Sequence, residues 1–301
     1  MIHGARSGGV LRMEQLLPDQ LKELWHRVEQ NDLLTEEFNL RQECGLAEYR
    51  KIWSDALLLE GYQELEKSLL DELGLYVGCQ DSAEIQLRCT RAVESLAKEW
   101  REKVDSTDRK SVENFYNETE AEIYELMWWH VLSEDLSPLS YVTALHFALR
   151  EGCRRCLDFG AGVGSGSILF ARHGLNVALA DISSPLLVFS EWRFRRRKLA
   201  GEFFDLKTRD LPNESFDMVT AMDVFEHLAD PVQAVEGLSK VLKPGGFLFG
   251  RFSAELNEDR PMHVVQDFEP TFRRLRELGF IEVWQDEWLW GQQVFQKLNN
   301  G

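Results

Sequence analysis

The chain has 301 residues, of which 44% are hydrophobic and 28% charged, and its formal net charge is −17. This apolar fraction can bury a core that offsets chain entropy, so the composition argues against extensive disorder and leaves room for two ordinary domains. The acidic balance argues against nucleic acid as a partner, because nucleic-acid-binding proteins neutralise phosphates with Lys and Arg.

Neither a targeting signal nor a disulfide framework is indicated by the sequence. No apolar run reaches the roughly 18–20 residues that a membrane-spanning helix needs, and residues 1–9 lack the hydrophobic stretch of a secretory signal. The five cysteines are an odd number scattered along the chain, which favours a reducing, cytoplasmic location. Cys153 and Cys156 have the spacing of half a zinc or redox motif, but no second pair of cysteines completes it. We therefore expect a cytoplasmic protein with no membrane partner.

The first half of the chain has the periodicity of helices. From about residue 11 to residue 132, apolar residues recur at the spacing of amphipathic helices, with one stripe over 49–73 and another over 85–104. Gly78 and Asp81 lie between these stripes, where a glycine can end one helix and an aspartate can cap the next. We predict an N-terminal all-helical domain or cap over residues 1–136.

The second half alternates short apolar runs with amphipathic stretches, which is typical of a doubly wound sheet. The predicted strands are 155–159, 176–181, 202–206, 216–222 and 247–252, and the predicted helices are 165–173, 185–198, 232–242 and 269–278. Two further apolar stretches, 280–288 and 292–298, meet at Gly291 and predict an antiparallel end to the sheet. We therefore predict an α/β fold over residues 137–301, with a doubly wound, mostly parallel, seven-stranded sheet.

A glycine-rich turn follows the first predicted strand and reads Asp158-Phe159-Gly160-Ala161-Gly162-Val163-Gly164. Such a turn lets the backbone approach a ligand and aims helix N–H groups at it. The dinucleotide fingerprint G-x-G-x-x-G fails in both registers, because Ser165 or Ser167 occupies the third glycine position. An acid two residues before the first glycine instead suits a ligand with a cationic amino group.

A second acid, Asp181, ends the second predicted strand, where one βαβ step brings it beside the glycine turn. A carboxylate there can accept both hydroxyls of a ribose. The alternative is a helix N-cap or turn residue ahead of Ser183. Because the glycine turn and the acid occur together, we favour the ribose role.

Further motifs follow in order: Asp210-Leu211-Pro212, Phe216-Asp217-Met218-Val219, Glu226-His227-Leu228 and Leu242-Lys243-Pro244-Gly245-Gly246. Together with the glycine turn and Asp181, they resemble the Rossmann-like (class I) S-adenosylmethionine-dependent methyltransferases. The run 216–246 resembles the small-molecule branch that includes ubiquinone-type methyltransferases. The resemblance covers roughly residues 153–298, and the helical first half matches no family that we can name.

The resemblance implies S-adenosyl-L-methionine as cofactor and S-adenosyl-L-homocysteine as product. It places the loop glycines against the methionine part, Asp181 on the ribose, and Ile182 and Leu211 beside the adenine. Tyr116 either hydrogen-bonds the methionine carboxylate or is a packed core tyrosine. The residues predicted to bind the cofactor are Asp158, Gly160, Ala161, Gly162, Gly164, Asp181, Ile182, Asp210, Leu211, Asp223 and Tyr116.

Catalytic residues are harder to identify, because the sulfonium is already activated and the protein mainly aligns the nucleophile and excludes water. We predict His227 and His263 as the catalytic residues. His227 either positions substrate or caps a turn, and His263 is either a base or a solvated loop residue. Glu226, His227 and His263 have no recognisable ligand spacing, so we predict no metal. The basic run 193–198 is interpreted as a solvated helix face, and Trp128-Trp129 as helix core.

The leading hypothesis is an enzyme that methylates O, N or C of a small molecule, with the helical half as a lid or as the contact of a homodimer. The alternatives are an NAD-type oxidoreductase, a protein-directed methyltransferase, and a non-catalytic module that binds the cofactor or a partner. The failed glycine register argues against the oxidoreductase.

Overall fold

The computed structural model describes residues 19–133, 135–254, 260–265, 267–286 and 289–299. The predicted start of the helical half, at 11–18, lies outside these residues. The same holds for the prediction about residues 1–9 and for positions 255–259 of the loop before His263. In the part of the chain that the structure describes, no helix is long and apolar enough to cross a membrane.

All regular elements described in the first half are helices. Its helices are α1 (Asp19–Glu29), α2 (Thr35–Gly45), α3 (Ala47–Leu57), α4 (Leu65–Val77), α5 (Ser82–Thr90), α6 (Ala92–Lys103), α7 (Arg109–Glu118) and α8 (Glu122–Trp129). A short 3₁₀ turn and α9 (Ser140–Arg150) lead into the sheet. The prediction of a helical first half is confirmed.

Each of the two apolar stripes forms two helices rather than one. The stripe over 49–73 breaks after Leu57, and the stripe over 85–104 breaks at Arg91. At the first break the amide of Leu59 donates to Ser68 Oγ at 3.0 Å, so a buried side chain replaces a helical hydrogen bond. Between the stripes, Gly78 has φ of 75° and ends α4, while Asp81 accepts from the amides of α5 as its N-cap, as predicted.

The second half is a seven-stranded sheet with helices between its strands. The strands are β1 (Arg155–Phe159), β2 (Asn176–Asp181), β3 (Glu202–Asp205), β4 (Phe216–Ala221), β5 (Leu242–Arg251), β6 (Phe280–Gln285) and β7 (Gln292–Lys297). The helices are α10 (Ser165–Arg172), α11 (Ser184–Arg196), α12 (Pro231–Val241) and α13 (Glu269–Glu277). All seven predicted strands are present, and their ends agree within a few residues except at β5.

The strand order is β3-β2-β1-β4-β5-β7-β6, in which β1 to β5 are parallel and β7 is antiparallel to both neighbours. The predicted mostly parallel sheet with an antiparallel end is therefore confirmed. β5 begins five residues earlier than predicted, because Leu242 already pairs with Phe216 before the two glycines. The order reverses between β1 and β4, and such a reversal opens a crevice at the carboxyl ends of the strands.

The helical half and the sheet share one hydrophobic core. Trp53 and Leu73 from the helical half belong to the same buried cluster as Ile168, Leu179 and Phe249 from the sheet half. A second cluster lies on the other face of the sheet, under α12 and α13. The boundary at residues 136/137 is therefore not marked by a gap in the core, and the division into two domains stays a prediction.

The basic run of α11 is not a solvated face, so that interpretation was wrong for two of its members. Arg193 and Arg197 are buried, and both pair with the buried carboxylate of Glu72 from α4. Arg197 Nη2 also donates to the carbonyl of Leu57 at 2.6 Å. A charge that is paired and hydrogen-bonded in this way can be buried, which the sequence of α11 alone does not reveal.

Candidate functional site

A cavity of about 740 Å³ opens at the carboxyl ends of β1, β2 and β4, beneath α7 and α8. This is the place where the strand order reverses. Ten of the predicted site residues line it: Gly160, Ala161, Gly162, Asp181, Ile182, Asp210, Leu211, Asp223, Tyr116 and His227. Asp158, Gly164 and His263 are not among its lining residues.

The glycine turn has a backbone that other residues adopt only with strain. Gly160 and Gly162 have φ of 71° and 51°. A Cβ atom on Gly160 would overlap the Val224 side chain, and one on Gly162 would lie 2.8 Å from Leu126 Cδ1. Glycine is therefore required both by conformation and by the close approach of neighbouring side chains.

Asp181 holds this turn through its carboxylate. Its Oδ2 accepts from the amide of Gly162 at 2.8 Å, and its Oδ1 accepts from the amide of Ser183 at 2.8 Å. The N-cap of α11 is Ser183 rather than Asp181. Burial raises the pKa of Asp181, although these amides oppose the effect. Each carboxylate oxygen has a second lone pair, so Asp181 can still accept hydroxyl groups from the cavity.

Asp158 lies behind the turn instead of in the cavity. Its oxygens lie within hydrogen-bond distance of three hydroxyl groups, from Ser167 (2.8 Å), Thr220 (2.9 Å) and Tyr141 (3.3 Å). Burial raises its pKa to about 6, and the three hydroxyl groups lower it in part. Asp158 therefore ties together β1, β4, α9 and α10 beneath the glycine turn.

Asp223 follows β4 in a strained conformation, with φ of 53°. Arg251 Nη1 donates to its Oδ1 at 2.6 Å, whereas its buried Oδ2 has no hydrogen-bond partner among the described residues. Burial raises the pKa of this carboxyl, and the neighbouring Arg251 opposes the shift. Strained residues with unsatisfied polar atoms tend to occur at functional sites.

Glu226, His227 and His263 come together, although 36 positions separate His227 from His263 along the chain. One ligand atom from each of the three residues lies within 4.8 Å of the others. The loop after β5 is held against the turn after β4, because the amide of Val264 donates to the carbonyl of Glu226 at 2.8 Å. The two predicted catalytic histidines are therefore neighbours, with ring centroids 4.8 Å apart.

His227 also contacts the helical half. Its Nδ1 lies 2.8 Å from the hydroxyl of Tyr116 and 3.3 Å from the carbonyl of Met262. The carbonyl can only accept, whereas the hydroxyl can donate or accept, so a proton on Nδ1 would satisfy both contacts and leave the lone pair on Nε2. Burial lowers the pKa of His227 to about 3, and burial together with the charge of Asp223 raises that of Glu226 to about 8.

Sequence reasoning missed two acids on α8. Glu122 and Glu125 line the cavity, and burial raises the pKa of both. Glu125 accepts from Arg260 Nη1 at 3.1 Å, while Glu122 Oε2 has no hydrogen-bond partner in the described part of the chain. Glu122, Glu125 and Trp129 are spaced so that they share one helix face. This spacing was the signal in the sequence that could have indicated a polar face toward the cavity. Trp129, which was interpreted as a core residue of its helix, therefore lines the cavity instead.

The chain was also compared with known proteins. Residues 157–248 match the family model described as a methyltransferase domain. The chain is 30% identical over 135 residues to a ubiquinone biosynthesis O-methyltransferase from Paracidovorax citrulli, covering 40% of this chain and 55% of that protein. It is 38% identical over 98 residues to a demethylmenaquinone methyltransferase from Clavibacter sepedonicus, covering 31% and 38%. A solved SAM-dependent methyltransferase from Leishmania major matches with a TM-score of 0.48 and 18% identity, covering 65% of this chain and 88% of that one.

The chain spans about half the length of the ubiquinone relatives that it matches. The segment matched by the family model runs from β1 into β5 and includes the glycine turn, Asp181 and Asp223. This segment includes β1, β2 and β4, whose carboxyl ends surround the cavity. Residues 157–248 therefore match a methyltransferase domain, in agreement with the resemblance of their motifs to the class I S-adenosylmethionine-dependent methyltransferases.

Proposed function

We propose that this protein is an enzyme that transfers a methyl group from S-adenosyl-L-methionine to a small molecule. The observation that carries the proposal is the convergence of the glycine turn, Asp181 and Asp223 on one cavity at the strand-order reversal. The cavity volume lies in the roughly 300–1,000 Å³ range of small-molecule sites.

The cofactor is proposed to lie across the carboxyl ends of β1, β2 and β4. Asp181 accepts the ribose hydroxyls with its remaining lone pairs, and the glycine turn contacts the methionine part. Ile182 and Leu211 flank the adenine, with Asp210 at its edge. Asp223 and Tyr116 contact the amino and carboxylate groups of the methionine.

The acceptor is proposed to enter on the side formed by the helical half. Leu96, Val112, Phe115 and Met262 give this side apolar character, and all four line the cavity. Glu125, Arg260 and His227 supply the polar groups that orient the acceptor. A small-molecule acceptor is further supported by the relatives named for ubiquinone biosynthesis and for demethylmenaquinone. The methylated atom is O, N or C.

The helical half, residues 1–136, is proposed to act as a lid over the sheet domain at 137–301. Tyr116, Glu122 and Glu125 support this role, because they belong to α7 and α8 and line the cavity. A homodimer contact through the same half and a cytoplasmic location are further parts of the proposal. A protein-directed methyltransferase or a non-catalytic cofactor-binding module remains the alternative.

Calorimetric titration with S-adenosyl-L-methionine and with NAD tests the proposal. We expect S-adenosyl-L-methionine alone to bind, and Asp181→Ala to weaken it about tenfold or more, because hydrogen bonds to a charged acceptor contribute roughly 1.5–3 kcal/mol. Asp181→Asn keeps one acceptor oxygen and should weaken binding less. Asp32→Ala, at an exposed position of the helical half, is the matched control.

Each other result has a definite meaning. Binding of NAD in place of S-adenosyl-L-methionine would overturn the proposed cofactor. Binding of neither ligand by a folded protein would favour a partner-binding module. Binding of S-adenosyl-L-methionine that is equally tight in the Asp181 variants would show that the cofactor lies elsewhere.

A further inference from the structure

A cluster of three potential metal ligands lies beside the cavity. Glu226, His227 and His263 each bring one ligand atom within 4.8 Å of the other two. Of the three, His227 lines the cavity, so the cluster borders the space in which the acceptor is proposed to bind. Nothing in the proposed cofactor site accounts for this arrangement.

An independent observation points to a missing ligand at this cluster. The side chain of Glu226 is 1% exposed, and its Oε2 has no hydrogen-bond partner among the described residues. A buried carboxylate oxygen without a partner costs free energy, which a bound cation would remove. Proteins generally keep such an atom for a reason, and a bound ion is one of the ordinary reasons.

Nearby charges permit a cation here. The two guanidinium groups whose charges act on Glu226 are already paired, Arg251 with Asp223 at 2.6 Å and Arg260 with Glu125 at 3.1 Å. Both pairs therefore contribute little net positive charge beside Glu226. A metal binds the ionised form of an acid and displaces its proton, so Glu226 as a ligand would balance part of the charge of the bound ion.

The hydrogen bonds of His227 suit a metal ligand. Its Nδ1 lies within hydrogen-bond distance of the carbonyl of Met262 and the hydroxyl of Tyr116, and a proton on Nδ1 leaves the lone pair of Nε2 available to a metal. Histidines that bind metals commonly donate their other ring N–H to a carbonyl or carboxylate in this way. The two contacts of Nδ1 hold the orientation of the ring.

The sequence predicted no metal at these residues because they lack a ligand spacing, but the fold brings them together. We propose that Glu226, His227 and His263 bind a divalent transition-metal ion beside the cavity. Two imidazoles and one carboxylate suit zinc or iron(II) better than magnesium or calcium, which prefer oxygen ligands. Ligand atoms about 2.1 Å from a tetrahedral metal lie about 3.4 Å apart, so side-chain movements of about 1 Å close the site. Three protein ligands leave a position open for water or a substrate atom.

In the proposed methyl transfer, the metal would help to bind the acceptor. This role rests on the proposed function. The open position borders the acceptor side through His227, so it can hold an oxygen atom of the acceptor. The ion also joins the turn after β4 to the loop that carries Arg260 and Met262, both of which line the cavity. It thereby shapes the acceptor side as well as holding the acceptor.

Cobalt(II) provides a direct test, because its visible absorption reports nitrogen and oxygen ligands. Protein that has been treated with a chelator is titrated with Co²⁺, and Zn²⁺ is titrated in parallel by calorimetry. We expect one ion per chain with absorption bands of a four- or five-coordinate site. Glu226→Gln and His263→Gln should each weaken binding by about tenfold or more, since even residues behind the ligands contribute about 10–100-fold.

His26→Ala is the control, because His26 is exposed on α1 and should leave Co²⁺ binding unchanged. Thermal melting of each variant separates lost ligation from lost folding. Wild-type protein that binds neither ion, or variants that bind Co²⁺ as tightly as wild type, would overturn the site. The readout needs no cofactor, so calorimetry with S-adenosyl-L-methionine distinguishes failure of the metal site from failure of the proposed function.

Discussion

Two buried aspartates beside the glycine turn illustrate how hydrogen-bond donors decide what a side chain does. Asp181 is held by two backbone amides, which can only donate and therefore favour the ionised carboxylate. Asp158 is held by three hydroxyl groups, which can also accept. A protonated Asp158 therefore keeps its contacts, in agreement with its pKa of about 6.

At the residue scale, we predict that the unfolding free energy of the wild type falls with rising pH because of Asp158, and that Asp158→Asn removes this part of the pH dependence. The folded-state pKa of about 6 lies above the ordinary aspartate pKa of 3.8, so this contribution to stability is fully present at low pH and is lost as pH rises through the folded value. Relative to the variant, wild type should lose about 1–2 kcal/mol of unfolding free energy between about pH 5 and about pH 8. Urea unfolding at both pH values measures this difference.

The exposed Asp55→Asn serves as the control for Asp158→Asn and should follow the pH profile of wild type. Parallel profiles for wild type and Asp158→Asn would mean that the buried carboxyl titrates in the folded state as it does in the unfolded chain.

At the scale of elements, the helices are connected by a buried ion network. Glu72 of α4 pairs with Arg193 and Arg197 of α11. Arg193 Nη1 in turn donates to the carbonyl of Val163 at 2.6 Å and lies 2.9 Å from Ser165 Oγ, at the end of the glycine turn. The network thus connects a helix of the first half to the turn that is proposed to bind the cofactor.

We predict that Glu72→Gln destabilises the protein by about 3–5 kcal/mol, because it leaves two buried guanidinium groups without their charge partner. Glu94→Gln, at an exposed position of α6, should change the unfolding free energy by less than about 0.5 kcal/mol. Urea unfolding of both variants provides the comparison. A Glu72→Gln variant no less stable than Glu94→Gln would mean that the guanidinium groups find other partners.

At the scale of the whole molecule, the helical half and the sheet share a core and line the same cavity. Trp53 of α3 and Phe249 of β5 belong to one buried cluster. Tyr116 of α7 reaches His227 after β4. Contacts of this kind favour cooperative unfolding over two independent transitions.

We therefore predict a single unfolding transition that S-adenosyl-L-methionine shifts as a whole. At a ligand concentration 100 times the dissociation constant, the gain in unfolding free energy should be about 2.7 kcal/mol. Hydrogen exchange measured in α3 and in β5 should show this protection in both elements. Protection confined to the sheet would instead favour independent domains with a boundary near residue 136.

Local patterns in the sequence determined much of the fold and part of the site. The strands and helices of the second half follow from hydrophobic periodicity, and the positions of the glycine turn and Asp181 follow from the ends of β1 and β2. Because parallel strands align their carboxyl ends, a sequence that specifies these strand ends also brings the residues after them together.

Only the tertiary structure decided which distant residues meet. Glu72 and Arg193 are 121 positions apart, Tyr116 and His227 are 111 apart, and neither pair belongs to a local pattern. The tertiary structure likewise decided that His263 approaches Glu226 and that this face of α8 lines the cavity. Local periodicity indicates that a helix has a buried face, whereas the packing of the whole chain determines which element covers that face.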